Sequence, residues 1–152
     1  MSRVLVLNGP NLGQLGRREP ETYGATTYAQ LVEQLERQGE ELGLQVEVRQ
    51  TDAEAQLIGW LHGAADAADA VVLNPASLSH YSIGLRDALS FTAVPVIEVH
   101  ISNIAAREEF RHHSVVSAVV RGTITGLGLD SYHLALVAVA RLLAREADSP
   151  HA

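Results

Sequence analysis

The apolar positions of this chain fall into short runs separated by stretches of helical spacing. "RVLVLN" (3–8) is almost unbroken apolar sequence and predicts a buried strand. In "TTYAQLVEQLERQGEEL" (26–42), Leu31, Leu35 and Leu42 recur at helical spacing, with Thr26 or Thr27 as N-cap and Gly43 as a stop. "LQVEVRQ" (44–50) alternates with period two and predicts a second strand. Helical sequence follows at 54–67, then a strand at 70–74 that ends at Pro75. A helix at 79–91, a strand at 95–102 and a short helix at 105–113 come next. The segment 117–128 holds a last strand, and 129–147 closes the pattern as a helix.

That order is βαβαβαβαβα. Such alternation predicts an α/β fold, a parallel sheet sandwiched between two helical layers. Five strands with right-handed crossovers suggest the flavodoxin-like order 2-1-3-4-5. A single domain over residues 1–147 is expected, with 148–152 as a loose tail. In such sheets a ligand sits outside the carboxyl ends of the strands. The polar residues just past those ends are Asn8 and Asn11, Gln50 and Asp52, Asn74, and His100, Ser102 and Asn103.

One connection breaks the rhythm. "NGPNLGQLGRREPETYG" (8–24) is far longer than an ordinary strand-to-helix loop and is rich in Gly and Pro. Gly9, Gly13 and Gly16 do not form a dinucleotide fingerprint, and no Lys completes a phosphate-binding loop. Arg17, Arg18 and Tyr23 read either as parts of a lid closing over an anion or as a solvated surface loop.

Composition narrows the chemistry. Net charge is −7, which argues against nucleic acid as a partner. The chain has no Cys, so it offers neither disulfide nor thiolate. Every residue in the Lys+Arg count of 11 is Arg, so no Schiff base can form on a lysine. No apolar run is long enough to span a membrane, and Asn8-Gly9-Pro10 ends the first run before a signal-peptide core could form. A cytoplasmic address is expected. No two His have i,i+4 spacing, so a metal site is not expected.

"IEVHIS" carries the sharpest chemical signal. Residues two apart on a strand share a face, so Glu98 and His100 are neighbours. A carboxylate beside an imidazole fixes its tautomer and raises its basicity, as a general acid needs. A structural Glu–His pair near a subunit contact is the alternative. His80 falls near a predicted helix N-terminus, where backbone N–H groups favour anions, or serves as a cap. Arg107 and Arg111 are four apart on a predicted helix and so share a face, turned to the site or to solvent. His62, His112 and His113 read as structural.

Taken together, "LNGPNLGQLGRREPETYG", "NPASLSHYSIGLRDAL", "PVIEVHISNIAAREEFRHHS" and "GLGLDSYHLAL" resemble the type II 3-dehydroquinate dehydratases over nearly the whole chain. The resemblance implies loss of water from 3-dehydroquinate to give 3-dehydroshikimate through an enolate, without metal or organic cofactor. It implies a role in the shikimate pathway or in quinate breakdown, and a homo-dodecamer of four trimers. Tyr23 would be the base, Arg18 would favour its ionised form, and Asn11 would stabilise the enolate through an ordered water. His100, oriented by Glu98, would protonate the departing hydroxyl. Asn74, His80, Arg111 and the backbone at Ile101-Ser102 would hold the substrate, and Asp87 would reach in from a neighbouring subunit.

The chemistry suits these residue types. A free phenol titrates near pH 10, so ionising it at neutral pH costs on the order of 4 kcal/mol, and a nearby guanidinium reduces that cost. Three departures stand out: Tyr81 where the family usually has Thr, Ser131 where Gly usually precedes the Tyr, and "QTDAEA" after the second strand. Two other classes share the fold: a binding or signalling module, receiving a phosphoryl group or holding flavin, and an inactive assembly protein that keeps the shell. A phosphoryl-receiving module would want an acidic residue at the end of strand one and a Lys, whereas Asn8 stands there and Lys is absent. A flavin module would want more aromatics than 5%.

Overall fold

The computed structural model describes residues 1–149. Its strands are β1 (Ser2–Asn8), β2 (Leu44–Gln50), β3 (Ala70–Asn74), β4 (Val96–His100) and β5 (Gly122–Thr125). Its helices are α1 (Pro20–Tyr23), α2 (Tyr28–Glu41), α3 (Glu54–His62), α4 (Ala64–Ala67), α5 (Ile83–Phe91) and α6 (Asp130–Ala147). The sheet is parallel throughout, in the order β2-β1-β3-β4-β5. Fold class and strand order are those the pattern predicted.

Side-chain alternation along the central strands divides the interior into two layers. Val4 and Val6 of β1 and Val72 of β3 pack with Leu31 and Leu35 of α2 and Tyr132, Leu136 and Val139 of α6. Leu5 and Leu7, with Val71 and Leu73, face the other way onto Leu57 and Leu61 of α3 and Leu85 and Leu89 of α5. Because β1 and β3 are covered on both faces, their sequences are continuous apolar runs.

The termini of α2 follow local chemistry. Thr27 Oγ1 accepts from the Gln30 N–H at 3.1 Å, and Gln30 Oε1 accepts from the Thr27 N–H at 2.9 Å, a reciprocal cap. Gly43, at φ +73°, ends it.

Several expected boundaries move. The helix expected at 79–91 begins only at Ile83, because Ser82 caps it by accepting from the Leu85 N–H at 3.0 Å. Residues Ala76–His80 form a separate 3₁₀ turn. The stretch 54–67 divides at Gly63 into α3 and α4. The short helix expected at 105–113 is two 3₁₀ turns, Ile104–Ala106 and Glu109–Arg111, interrupted at Arg107 by extended backbone. Within 117–128 only Gly122–Thr125 is strand, and the strand expected at 95–102 spans Val96–His100. Of the expected tail 148–152, Asp148 and Ser149 carry the last turn of α6 onward by bonding to Ala144 and Glu146, and 150–152 lie outside the described residues. Among the described residues no helix is long and apolar enough to cross a membrane.

Candidate active site

A cleft opens at the carboxyl edge of the sheet. Its walls come from Pro10, Asn11 and Leu12 after β1, Arg18 and Tyr23 in the long loop, Asn74, Ala76, Ser77 and His80 from the end of β3 onward, and His100, Ile101, Ser102, Ile104, Arg107 and Arg111 from the end of β4 onward. Nine of the residues proposed from sequence line it: Asn11, Arg18, Tyr23, Asn74, His80, His100, Ile101, Ser102 and Arg111.

The long loop is neither open coil nor a solvated tail. Leu12 and Leu15 are buried with the α2 and α6 layer, and α1 starts with Pro20 at its first turn. Tyr23 is half-buried against the same layer. Its hydroxyl accepts from Arg107 Nη1 at 2.9 Å. The guanidinium of Arg18 lies 5.3 Å from the centre of its ring, and that of Arg107 lies 5.7 Å away. Two cations thus flank one phenol.

Across the cleft, Glu98 and His100 are both buried at the end of β4. His100 Nε2 donates to Glu98 Oε2 at 2.5 Å, which leaves Nδ1 as the ring nitrogen available to a ligand. Ser117 Oγ donates to Glu98 Oε1 at 2.6 Å and Ser114 Oγ to Oε2 at 3.2 Å. Burial by itself would push the Glu98 carboxyl up. The bonds from His100, Ser117 and Ser114 outweigh it and hold the group below its ordinary value of 4.5. Glu98 does not line the cleft; it is joined to it through His100.

The third wall rests on a buried polar chain. Asn74 Nδ2 donates to the Tyr132 hydroxyl at 2.8 Å, and that hydroxyl donates to Asn8 Oδ1 at 2.6 Å. Burial pushes the Tyr132 phenol up, so it stays neutral and can play both parts. Asn74 Oδ1 accepts from the N–H of Ala76, a left-handed residue at φ +52°, at 3.0 Å. Beyond it, His80 Nδ1 donates to the His113 carbonyl at 2.8 Å.

Two expectations from sequence need correction. His80 does not sit at a helix N-terminus; it ends the 3₁₀ turn, two residues before the Ser82 cap. Arg107 and Arg111 do not share a helix face, because extended backbone at Arg107 separates two 3₁₀ turns, yet both line the cleft: Arg107 bonds to Tyr23 and Ser102, and Arg111 Nε lies 3.1 Å from Glu108 Oε2. Asp87 is exposed on α5 and is not among the walls of its own chain's cleft. Tyr81 points away, 62% exposed, so this departure leaves the cleft walls untouched. Ser131 is buried at the start of α6, and its Oγ accepts from the Leu127 N–H at 3.2 Å. Among the described residues no three His, Asp or Glu side chains converge as metal donors would.

Sequence reasoning had no means of pairing Arg107 with Tyr23 across 84 positions. The Ser114 and Ser117 donors to Glu98 left one faint signal, two hydroxyls three residues apart just after the His pair.

Known proteins share this arrangement of chain. A 3-dehydroquinate dehydratase from Salinispora tropica is 66% identical over 134 residues, covering 88% of this chain and 94% of the relative. One from Mycobacterium tuberculosis is 58% identical over 133 residues, covering 88% and 90%. The crystal structure of a type II dehydroquinase from Propionibacterium acnes superposes with a TM-score of 0.90 at 62% identity, covering 93% of this chain and 97% of that one. Residues 2–140 match the family described as Dehydroquinase class II, and the chain belongs to that family.

Proposed function

We propose that this protein is a 3-dehydroquinate dehydratase, a carbon–oxygen hydro-lyase of the shikimate pathway that works through an enolate. The observation that carries the mechanism is the pairing of a phenol flanked by two guanidiniums with a carboxylate-backed imidazole on one cleft.

Tyr23, as phenolate, takes the proton from the carbon beside the ketone. The electron pair moves onto the ketone oxygen, and Asn11 stabilises that enolate through an ordered water. The enolate then re-forms the ketone, its electrons make the carbon–carbon double bond, and the neighbouring hydroxyl departs. His100 Nδ1 gives that hydroxyl a proton, so water leaves and a conjugated enone remains. Arg18 and Arg107 favour the phenolate; Glu98 stabilises the imidazolium before it donates. Asn74, His80, Ile101, Ser102 and Arg111 hold the hydroxyls and carboxylate of the substrate, with Arg111 offering a planar fork to the carboxylate. Every charge that develops is met by a group of the chain, so neither metal nor organic cofactor is needed.

Asp87 completes the site from a neighbouring subunit within a dodecamer of four trimers. In support, α5 presents Ile83, 56% exposed, four residues before Asp87 on one helical face, and Phe91 is 84% exposed. The enzyme works in the cytoplasm. The test is direct: mixed with 3-dehydroquinate, the pure protein generates the ultraviolet absorbance of a conjugated enone, and a chelator leaves the rate unchanged. Absence of that absorbance from folded protein ends the proposal. Light scattering that reports an active monomer removes the assembly from it.

A further inference from the structure

Asn11 holds a backbone conformation that other parts of the chain must enforce. It is left-handed, at φ +71° and ψ −5°, and it opens the 3₁₀ turn Leu12–Gln14. Asn tolerates this region better than most residues, but only as an isolated position. Asn is also a favoured N-cap. Here its side chain makes no capping bond to its own turn. An amide that does not cap is available to the cleft that Asn11 lines.

The turn after β2 takes over the backbone work. Asp52 Oδ1 accepts from the Asn11 N–H at 2.8 Å. Gln50 Nε2 donates to the same Oδ1 at 3.0 Å and to the Gly9 carbonyl at 3.2 Å. The Thr51 N–H donates to the Asn8 carbonyl at 2.9 Å. At Gly13 a Cβ would lie 2.9 Å from Gln50 Oε1, so a side chain there would push the Gln50 amide aside. Gly9 is similarly enclosed, with a Cβ predicted 2.8 Å from the Pro75 carbonyl oxygen. Residues 50–52 therefore grip residues 8–13 on one side while the β3 loop limits them on the other.

We propose that Asp52 is a positioning residue for the dehydration: by holding the Asn11 N–H, it fixes the left-handed turn and aims the Asn11 amide at the developing enolate. This rests on the enolate-stabilising reading of Asn11. What matters is an acceptor oxygen at one place, rather than a negative charge near the cleft. Asn in place of Asp keeps an Oδ1 at that place. Glu keeps the charge but carries its oxygens one methylene further out.

The experiment measures kcat and KM with 3-dehydroquinate for Asp52→Ala, Asp52→Asn, Asp52→Glu, Asn11→Ala and the Asn11→Ala/Asp52→Ala double variant. Circular dichroism and thermal unfolding accompany each. Asp52→Ala and Asp52→Glu are expected to lower kcat by about 10- to 100-fold, with a smaller change in KM, as misplacement of a group acting in the transition state does. Asp52→Asn recovers most of the lost kcat. In the double variant, loss of Asp52 adds little to loss of Asn11, since both act through one amide. If Asn11→Ala is impaired but the Asp52 variants turn over normally, the inference about Asp52 falls and the reading of Asn11 stands. If Asn11→Ala keeps parental kcat, both fall. Rescue by Glu but not Asn, or full multiplication of the two losses, assigns Asp52 another task and overturns the proposal. Should Asp52→Ala fail to fold, the contrast between Asn and Glu decides.

Discussion

Replacing Glu98 by Gln tests the acid side of the mechanism and the electrostatics of the core together. Glu98 is 1% exposed and accepts from His100, Ser117 and Ser114. Gln has nearly the same shape, so packing is kept. The two Ser hydroxyls can rotate to suit an amide, and His100 can move its proton to Nδ1. What is lost is the carboxylate charge. Charge-assisted bonds contribute about 1.5–3 kcal/mol against 0.5–1.5 for neutral ones, while burying an amide costs less than burying a carboxylate, so the net loss is about 1–2 kcal/mol at neutral pH.

The pH dependence has a definite sign. The folded-state pKa of Glu98 lies below its ordinary 4.5. Its stabilising contribution is therefore fully present above about pH 4.5 and is lost as pH falls through the lower folded-state value. Gln resembles the protonated acid, so the stability gap between parent and variant is largest at neutral pH and closes under acid. Urea unfolding of both proteins at a series of pH values measures this. Turnover tells the other half: on the proposed mechanism the carboxylate orients His100 as the acid, and without it kcat is expected to fall by ~10²–10⁴. A gap that stays constant from neutral pH into acid, or a kcat within about threefold of the parent where a general acid contributes ~10²-fold or more, refutes this reasoning.

Three further perturbations address the rest of the site. Tyr23→Phe removes only the oxygen that accepts from Arg107, so steady-state kinetics should show the loss in kcat with a smaller change in KM. Arg107→Ala removes a charge-assisted bond worth about 1.5–3 kcal/mol, which predicts a fall in kcat of about 10- to 150-fold; Arg107→Lys, lacking the planar fork, rescues it only in part. Tyr132→Phe leaves Asn8 and Asn74 each without one buried partner, and denaturant unfolding should report a loss of about 1–3 kcal/mol.

The layers of this fold were legible because burial leaves its mark on each element alone. β1 and β3 are covered on both faces and read as solid apolar runs, while α2 shows both its stripe and its cap. The Glu98–His100 pair was legible for the same reason: period two is local. What stayed hidden was decided by competition or by distance. Ser82 and the residues before α5 could have continued the helix, and only the bonded cap settles where it starts. Arg107 and Arg111 reached the cleft without a shared helix face, across an extended break and with Arg107 bonded to the distant Tyr23. The chain from Asn8 through Tyr132 to Asn74 crosses 124 and then 58 positions, and nothing near any of its members announces it.

The arginines give the site its logic. A Lys beside Tyr23 would be a poorer partner, because its ammonium is a point charge that lacks the planar fork and stacks less well on a ring. Arg brings a permanent cation on a planar fork, and Arg107 uses it both to donate to the Tyr23 hydroxyl and to sit over its ring. The two guanidiniums on Tyr23 also come from different places. Arg18 travels with the long loop, whereas Arg107 is fixed to the body after β4, held by Ser102 Oγ at 3.3 Å and by Glu108. An opened loop would take Tyr23 and Arg18 away together and leave Arg107 behind. With the loop seated as it is, Tyr23 meets both guanidiniums, with His100 and its buried carboxylate across the same cleft. On the proposed mechanism this is the arrangement in which base and acid face one substrate, which gives a task to a loop so much longer than the connection from β1 to α2 requires.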